Sequence, residues 1–291
     1  MAYEYILYEK IDKVAKITMN RPEVRNAENY GMNREIFTAI AEAENDDDVR
    51  AIILAGASSS FSAGHDMGSP VAVAERESLP QHKGGSYGSY LREESRWIIP
   101  MLALRDMSKP IIAQVQGYCI MGGCMLATMC DFIVASEDAQ FSERASRQGG
   151  YSTEFFSYVY ELGAKKAKEY LMTGDFFSAE EAHRLGMVNK VVPREKLEET
   201  TMAFAQKLAL QSAYSLKFIK QAVNYVQDLM GYRQAVRFGF NIHSLTHSHR
   251  AIDPEALDPL AGARQEPGER MSARQHFEER DAKFKELDKK W

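Results

Sequence analysis

The feature that most restricts the fold of this chain is an alternation between short apolar runs and stretches of helical periodicity over the first 190 residues. Several of the apolar runs are rich in β-branched residues and three are almost continuously apolar, as is typical of strands covered on both faces. Between two of the runs, Met32, Ile36, Ile40 and Ala43 recur at helical spacing. The alternation predicts an α/β domain with crossover helices. The predicted strands are Tyr5–Tyr8, Val14–Met19, Ala51–Leu54, Ile111–Val115, Phe132–Ala135 and Val188–Val192.

Two other regions depart from this alternation. Residues 68–95 are rich in glycine and charge, and they predict a long loop that could act as a lid over a site. After Pro193 the composition becomes helical, which predicts a core of residues 1–195 and a helical C-terminal region of residues 196–291. The predicted parts of the second region are helices Leu197–Leu210, Ala213–Val226 and Arg233–Arg250, a linker Arg264–Glu269, and a tail helix Met271–Trp291 with an apolar stripe of Phe277, Phe284, Leu287 and Trp291.

Charge and composition exclude several classes of function. A net charge of −5 without a basic block argues against nucleic acid as a partner. No apolar run reaches the ~18–20 residues that a membrane span requires. Three cysteines, Cys119, Cys124 and Cys130, in a chain without a secretory signal predict reduced thiols and a cytoplasmic protein, and their spacing does not fit a zinc site.

Two glycine-containing turns stand out on chemical grounds. Phe61–Met67 follows the strand at Ala51–Leu54, and Gly117–Cys124 follows the strand at Ile111–Val115 and opens a helix. Glycines at such junctions allow backbone N–H groups to point into a cavity, with a helix dipole behind them. These donors suit an anion or a developing oxyanion.

Taken together and in this order, the two turns resemble those of the crotonase (enoyl-CoA hydratase/isomerase) superfamily. The resemblance covers roughly residues 3–225. Further segments match in order: Asn20-Arg21-Pro22 with Asn26-Ala27, Lys109-Pro110, Leu126-Ala127 with Cys130-Asp131, Ala139-Gln140-Phe141, Leu171–Asp175, and Ala179–Glu181 with Leu185–Asn189.

The resemblance implies a spiral of ββα units with a C-terminal α-helical trimerisation region, and a homotrimer or a hexamer of two trimers. The substrate would be an acyl-CoA thioester, with coenzyme A as part of the substrate and no permanently bound cofactor. The backbone amides of His65 and Gly122 would bind the thioester carbonyl and stabilise an enolate. Implied contacts to coenzyme A come from Arg25, Ala27, Ser62, Ala63, His65, Asp66 and Met67, and from Lys283 and Phe284 of a neighbouring subunit's tail.

The chain departs from the hydratase pattern at both positions where the resemblance implies a catalytic glutamate. Met125 and Ala145 occupy them, and neither side chain can carry a proton. Glu143 and Glu154 are the candidate replacements. Three hypotheses therefore stay open: a lyase or isomerase with a relocated carboxylate, a C–C or thioester hydrolase on the same fold, and a non-catalytic acyl-CoA-binding protein.

Two further expectations concern the pocket and the histidines. Met125 and Ala145 predict a less polar pocket that suits a bulky apolar acyl group, and slow hydration of crotonyl-CoA. His243, His247 and His249 follow one another on a late predicted helix, and the first two have the spacing of metal ligands. No acidic third ligand adjoins them in the sequence, so a structural role is expected and no metal is predicted.

Overall fold

The computed structural model describes residues 3–78, 85–148, 150–252, 281–282 and 284–289. Its strands are β1 (Ile6–Ile11), β2 (Val14–Met19), β3 (Ala51–Gly56), β4 (Ile111–Val115), β5 (Tyr118–Ile120), β6 (Phe132–Ser136), β7 (Gln140–Ser142), β8 (Phe177–Ser178) and β9 (Lys190–Val192). Its α-helices are α1 (Tyr30–Asn45), α2 (Pro70–Ser78), α3 (Gly85–Glu93), α4 (Ile99–Asp106), α5 (Gly122–Met129), α6 (Tyr158–Thr173), α7 (Ala179–Leu185), α8 (Leu197–Ala209), α9 (Ala213–Leu229) and α10 (Tyr232–Ile252). Short 3₁₀ turns occur at Pro22–Val24, Ala145–Gln148 and Arg194–Lys196, and a π-helix at Glu94–Ile98.

The predicted α/β architecture is confirmed. A six-stranded sheet has the order β1-β2-β3-β4-β6-β9, and a three-stranded sheet has the order β5-β7-β8. Only the β1–β2 pair of the large sheet is antiparallel, and its other pairs are parallel. Every residue of β3 and of β4 is buried, which explains their almost continuously apolar sequences.

Helices cover both faces of the large sheet. On one face, Met32, Ile36 and Ile40 of α1 are fully buried in the main core, as their spacing predicts. On the other face, Leu197 and Ala205 of α8 belong to a smaller core with residues of β3 and β4. The division after residue 195 stays a prediction, although the first helix beyond it packs against the sheet.

The prediction of a loop over residues 68–95 is wrong for most of its length. Residues of this segment form α2, α3 and the start of the π-helix, and residues 79–84 lie outside the described part. The Glu75 carboxylate on α2 accepts hydrogen bonds from the amides of Tyr30 and Gly31 at the start of α1. This contact satisfies amides that the helix itself leaves unpaired, and it fixes α2 against the domain. Such a long-range anchor leaves no local sequence signal.

The late helices α8, α9 and α10 confirm the predicted helical character of the chain after Pro193. The predicted linker, together with Phe277 and Trp291 of the tail stripe, lies outside the described residues. Leu287 is 62% exposed, so its side chain packs little against this chain. Within the described residues, no helix has both the length and the apolar character that crossing a membrane demands.

Candidate functional site

The two glycine turns lie side by side at the carboxyl ends of β3 and β4. The Ser62 amide donates to the Tyr118 carbonyl at 3.0 Å, and the Ile120 amide donates to the Ser62 carbonyl at 3.0 Å. The two turns approach each other so closely that position 122 requires glycine. A Cβ built there would lie 2.6 Å from Cδ2 of His65 and 2.8 Å from Oε2 of Glu28.

The backbone amides of His65 and Gly122 come from the two adjacent glycine turns. Gly122 is the first residue of α5, so its N–H has no partner within the helix and lies at the positive end of the helix dipole. Neither amide has a hydrogen-bond acceptor within the described part of the chain. A Cβ on Gly64 would lie 3.3 Å from the Gly122 nitrogen, which places the two turns in contact.

The His65 imidazole lies between two buried carboxylates. Its Nε2 is 3.8 Å from Oε2 of Glu28, and its Nδ1 is 3.8 Å from Oε1 of Glu154. The ring stacks on Trp97 of the π-helix, with centroids 4.3 Å apart and planes inclined by 17°. Burial lowers the pKa of His65 although Glu154 opposes this shift, so the ring is neutral at neutral pH.

Glu28 is a buried carboxyl that keeps its proton. Its side chain is fully buried, its Oε1 accepts a hydrogen bond of 2.8 Å from the Ser62 hydroxyl, and its Oε2 has no hydrogen-bond partner. Burial raises the pKa of Glu28 to about 8, although the Ser62 hydrogen bond opposes the shift. Sequence reasoning missed this residue, because nothing about a glutamate after Ala27 shows that it is buried.

Glu154 is the ionised partner of this pair. Its side chain is 5% exposed, and its Oε1 lies 3.8 Å from Nδ1 of His65 and 3.7 Å from Nε2 of His243. Burial alone would raise the pKa of Glu154, but the positive charge that the His65 and His243 rings carry when they are protonated outweighs burial and lowers this pKa below the ordinary value. Two carboxyl groups whose pKa values are displaced in opposite directions are suited to act as acid and base.

These groups line a cavity of about 360 Å³ below α2, α3 and the π-helix. The expectation of a less polar pocket is wrong, because the walls carry four glutamates and three arginines. The polar groups come largely from the segment that the sequence assigned to a loop. The lining residues that matter here are Glu28, His65, Glu75, Glu93, Arg96 and Glu154.

Comparison with known proteins agrees with this architecture. The family described as enoyl-CoA hydratase/isomerase matches residues 9–286. The chain belongs to this family. EchA13 of Mycobacterium tuberculosis, whose name places it among enoyl-CoA hydratases, is 41% identical over 267 residues, which is 85% of this chain and 82% of the relative.

Solved structures of the enoyl-CoA hydratase/isomerase family are similar over most of their length. The crystal structure of an enoyl-CoA hydratase/isomerase from Xanthobacter autotrophicus Py2 superimposes with a TM-score of 0.83 at 31% identity, covering 97% of this chain and 99% of that one. That of a probable enoyl-CoA hydratase from Mycobacterium smegmatis gives a TM-score of 0.78 at 38% identity, covering 87% and 98%. The resemblance drawn from the glycine turns is therefore confirmed.

Glu143, the second candidate replacement, does not line the cavity. Its Oε2 accepts hydrogen bonds from the hydroxyls of Thr153 at 2.9 Å and Tyr158 at 3.1 Å. Its Oε1 accepts from the Ala145 amide at 3.2 Å, and burial raises its pKa to about 7. Through Thr153, Glu143 supports the backbone that presents Glu154. Met125, at the other altered position, is fully buried in the core.

The predicted coenzyme A contacts before position 70 cluster around the first glycine turn. Arg25 has a left-handed backbone, its carbonyl accepts from the Ala63 amide at 3.0 Å, and its guanidinium lies over the Tyr118 ring at 5.3 Å. The Ala27 carbonyl accepts from the Arg21 guanidinium at 2.7 Å. The Ser62 hydroxyl is engaged by Glu28.

Asp66, Met67 and the tail residues occupy different environments. The Asp66 carboxylate is 5% exposed and binds the Arg21 guanidinium at 2.8 Å, whereas Met67 is 60% exposed at the cavity. Phe284 lies under the Arg147 guanidinium of the same chain, 4.0 Å from its ring centroid, and Lys283 lies outside the described residues. Contact of any of these residues with coenzyme A stays a prediction.

The histidines of α10 lie next to acidic side chains that are distant in sequence. Nδ1 of His247 is 3.0 Å from Oε1 of Glu93, and Nε2 of His243 is 3.9 Å from Oε2 of Glu93. The premise that no acidic group adjoins these histidines is therefore wrong in three dimensions. The side chain of His249 lies outside the described residues.

Proposed function

We propose that this chain is an acyl-CoA lyase or isomerase in which Glu154 replaces the glutamates missing at positions 125 and 145. The observation that carries the proposal is the placement of the Glu154 carboxylate in the same cavity as His65, beside the paired glycine turns. Met125 and Ala145 thus replace the usual proton carriers, but in the proposal the cavity keeps one in Glu154.

The first chemical task is to stabilise negative charge on the substrate carbonyl oxygen. In the proposal this oxygen accepts hydrogen bonds from the amides of His65 and Gly122. Fixed dipoles of this kind contribute about 3–4 kcal/mol per donor in other enzymes, because they need no reorganisation when the charge develops. The same two donors stabilise the enolate that forms when C2 loses a proton, so they make the hydrogen at C2 of the acyl group more acidic.

The second task is proton transfer, which Glu154 and Glu28 would share. For hydration, ionised Glu154 removes a proton from the water whose oxygen adds to C3, and protonated Glu28 supplies the proton that C2 receives. For isomerisation, Glu154 removes a proton from C2 and returns it to C4. Neutral His65 lies between the two carboxyl groups and keeps them apart.

The polarity of the cavity favours an acyl group that carries polar atoms. The Nε of Arg96 is buried and has no hydrogen-bond acceptor in the described part of the chain. Its guanidinium lies between the rings of Tyr30 and Trp97, at 5.0 and 4.9 Å from their centroids. A hydroxyl or carbonyl oxygen on the acyl chain would satisfy this donor, whereas an alkyl chain would leave it unpaired.

A substrate panel separates this proposal from the alternatives. We expect hydroxyacyl- and ketoacyl-CoA thioesters to bind and turn over better than crotonyl-CoA, measured by calorimetry and by product analysis, with free coenzyme A as control. Hydrolysis products would favour the hydrolase alternative, and binding without turnover would favour the binding protein. Absence of binding by every acyl-CoA, or fast hydration of crotonyl-CoA, would contradict the proposal.

We also propose a homotrimer or hexamer, on the basis of the apolar surface of α9. None of the residues of this helix is buried. Its large apolar side chains are therefore exposed, with Tyr214 at 73%, Val223 at 57% and Leu229 at 71%. Apolar surface of this extent on one helix is typical of an interface. Light scattering at micromolar concentration should give a mass of three or six chains, and Leu229→Lys should lower it. A monomeric wild-type protein would contradict the expectation.

A further inference from the structure

Three side chains from two helices bring ligand atoms together at one edge of the cavity. Glu93 is the last residue of α3, and His243 and His247 are one turn apart on α10. One ligand atom from each lies within 4.8 Å of the other two. The two helices are distant in sequence, so the tertiary fold creates this cluster.

The orientation of the His243 ring determines which of its nitrogens faces the cluster. Nδ1 lies 2.6 Å from the Ser152 carbonyl oxygen, which can only accept a hydrogen bond. Nδ1 therefore carries a hydrogen, which leaves Nε2 as the nitrogen that can bind a metal ion. A histidine fixed through Nδ1 to a carbonyl is the usual arrangement of a metal ligand that binds through Nε2.

Two carboxylates lie near this Nε2. The His243 side chain is 8% exposed, and its Nε2 is buried without a hydrogen-bond partner. It faces carboxylate oxygens of Glu93 at 3.9 Å and of Glu154 at 3.7 Å. Oε2 of Glu93 and Oε2 of Glu154 are also buried without partners. Buried polar atoms are rarely left unpaired, so such a group of atoms calls for a cation.

The separations fit a small divalent ion. Zinc bonds of about 2.0–2.1 Å in tetrahedral geometry place ligand atoms about 3.3 Å apart. The Glu93–His247 separation of 3.0 Å and the His243 separations of 3.7 and 3.9 Å bracket this value. His247 is 48% exposed, which gives an ion a route of entry from solvent.

We propose that Glu93, His243 and His247 bind one divalent transition-metal ion of the zinc type, with Glu154 at the fourth position. Nitrogen and carboxylate ligands in a set of three with one further position are typical of zinc sites. Because the ion takes the Glu154 oxygen that faces His243, its binding withdraws this carboxylate from proton transfer. The site is thus an inhibitory metal site beside the cavity.

The test uses the full-length protein after treatment with a chelator. Cobalt(II) titration should give a visible absorption spectrum of four-coordinate cobalt at one ion per chain, and zinc(II) should displace it. Glu93→Gln and His247→Ala should each weaken binding by more than the ~10–100-fold that loss of a supporting residue costs. These substitutions leave the buried His243 ring in place, so we expect the variants to fold, and thermal unfolding checks this.

Matched controls are available in the same chain. Glu94→Gln changes the neighbouring glutamate, which pairs with Arg237, and His183→Ala changes an exposed histidine on α7. Both should bind cobalt like the wild type. Absence of binding, or equal affinity in Glu93→Gln and wild type, would overturn the proposal. The titration needs no substrate, so its failure would leave the acyl-CoA assay unaffected.

Discussion

Glu154→Gln is expected to lower kcat by about 10²–10⁴-fold while the affinity for acyl-CoA stays nearly unchanged, because a general base contributes a factor of this size. The amide keeps the shape of the side chain but cannot accept the proton from water or from C2. An interaction used only in the transition state affects kcat and kcat/KM together. Steady-state kinetics with the best substrate of the panel, combined with calorimetric binding, provide the measurement.

The matched control for this experiment is Glu143→Gln. Glu143 is as deeply buried as Glu154 and lies in the same segment, but its oxygens are occupied by Thr153, Tyr158 and the Ala145 amide. We expect this variant to have a lower melting temperature than the wild type but a nearly unchanged kcat. A loss of kcat in Glu143→Gln with full activity in Glu154→Gln would reverse the assignment of the base. Thermal unfolding of both variants identifies any loss caused by misfolding.

Local sequence was sufficient to mark the two glycine turns, because a glycine turn after a strand exposes backbone amides wherever it occurs. The choice of the His65 and Gly122 amides came from the resemblance of both turns, in their order, to the crotonase superfamily. Glu154 could be found because it follows the altered position 145 closely in the chain. The strands β2 and β4 were predicted with their observed bounds because most of their residues are apolar and nearly all of them are buried.

The parts that could not be predicted depend on contacts between distant segments. Glu28 acquires its raised pKa from burial against Ser62, and Glu93 meets His247 only because α3 packs against α10. Much of the lining of the cavity comes from residues 68–95, a segment whose glycines and charges indicate a loop. Glu75 of this segment caps α1, and such a contact between distant residues has no periodicity that a sequence could display.

The activity of the wild-type enzyme is expected to fall as the pH rises through about 8, because Glu28 loses the proton that it donates. Burial raises the pKa of Glu28 to about 8, so the group is protonated at neutral pH and ionised above that value. An acid must be protonated to act, so the alkaline limb of the kcat profile reports this group. Glu28→Gln should lack the limb and show a lower kcat at every pH.

The same raised pKa has a consequence for stability that needs no substrate. In the unfolded chain Glu28 loses its proton near the ordinary value of 4.5, whereas in the folded protein it keeps the proton up to about 8. Between these values the unfolded state binds fewer protons, so the contribution of Glu28 to the free energy of unfolding falls as the pH rises. Glu28→Gln removes this fall.

The comparison of unfolding at two pH values therefore measures the protonation of Glu28 directly. Glu28→Gln should be stabilised relative to the wild type more at pH 8 than at pH 5, measured by urea unfolding. Glu23→Gln, at a side chain that is 66% exposed, is the control and should show the same difference at both values. If the stabilities of the wild type and of Glu28→Gln change in parallel with pH, Glu28 is ionised in the folded protein. The proton delivered to C2 would then have to come from another group.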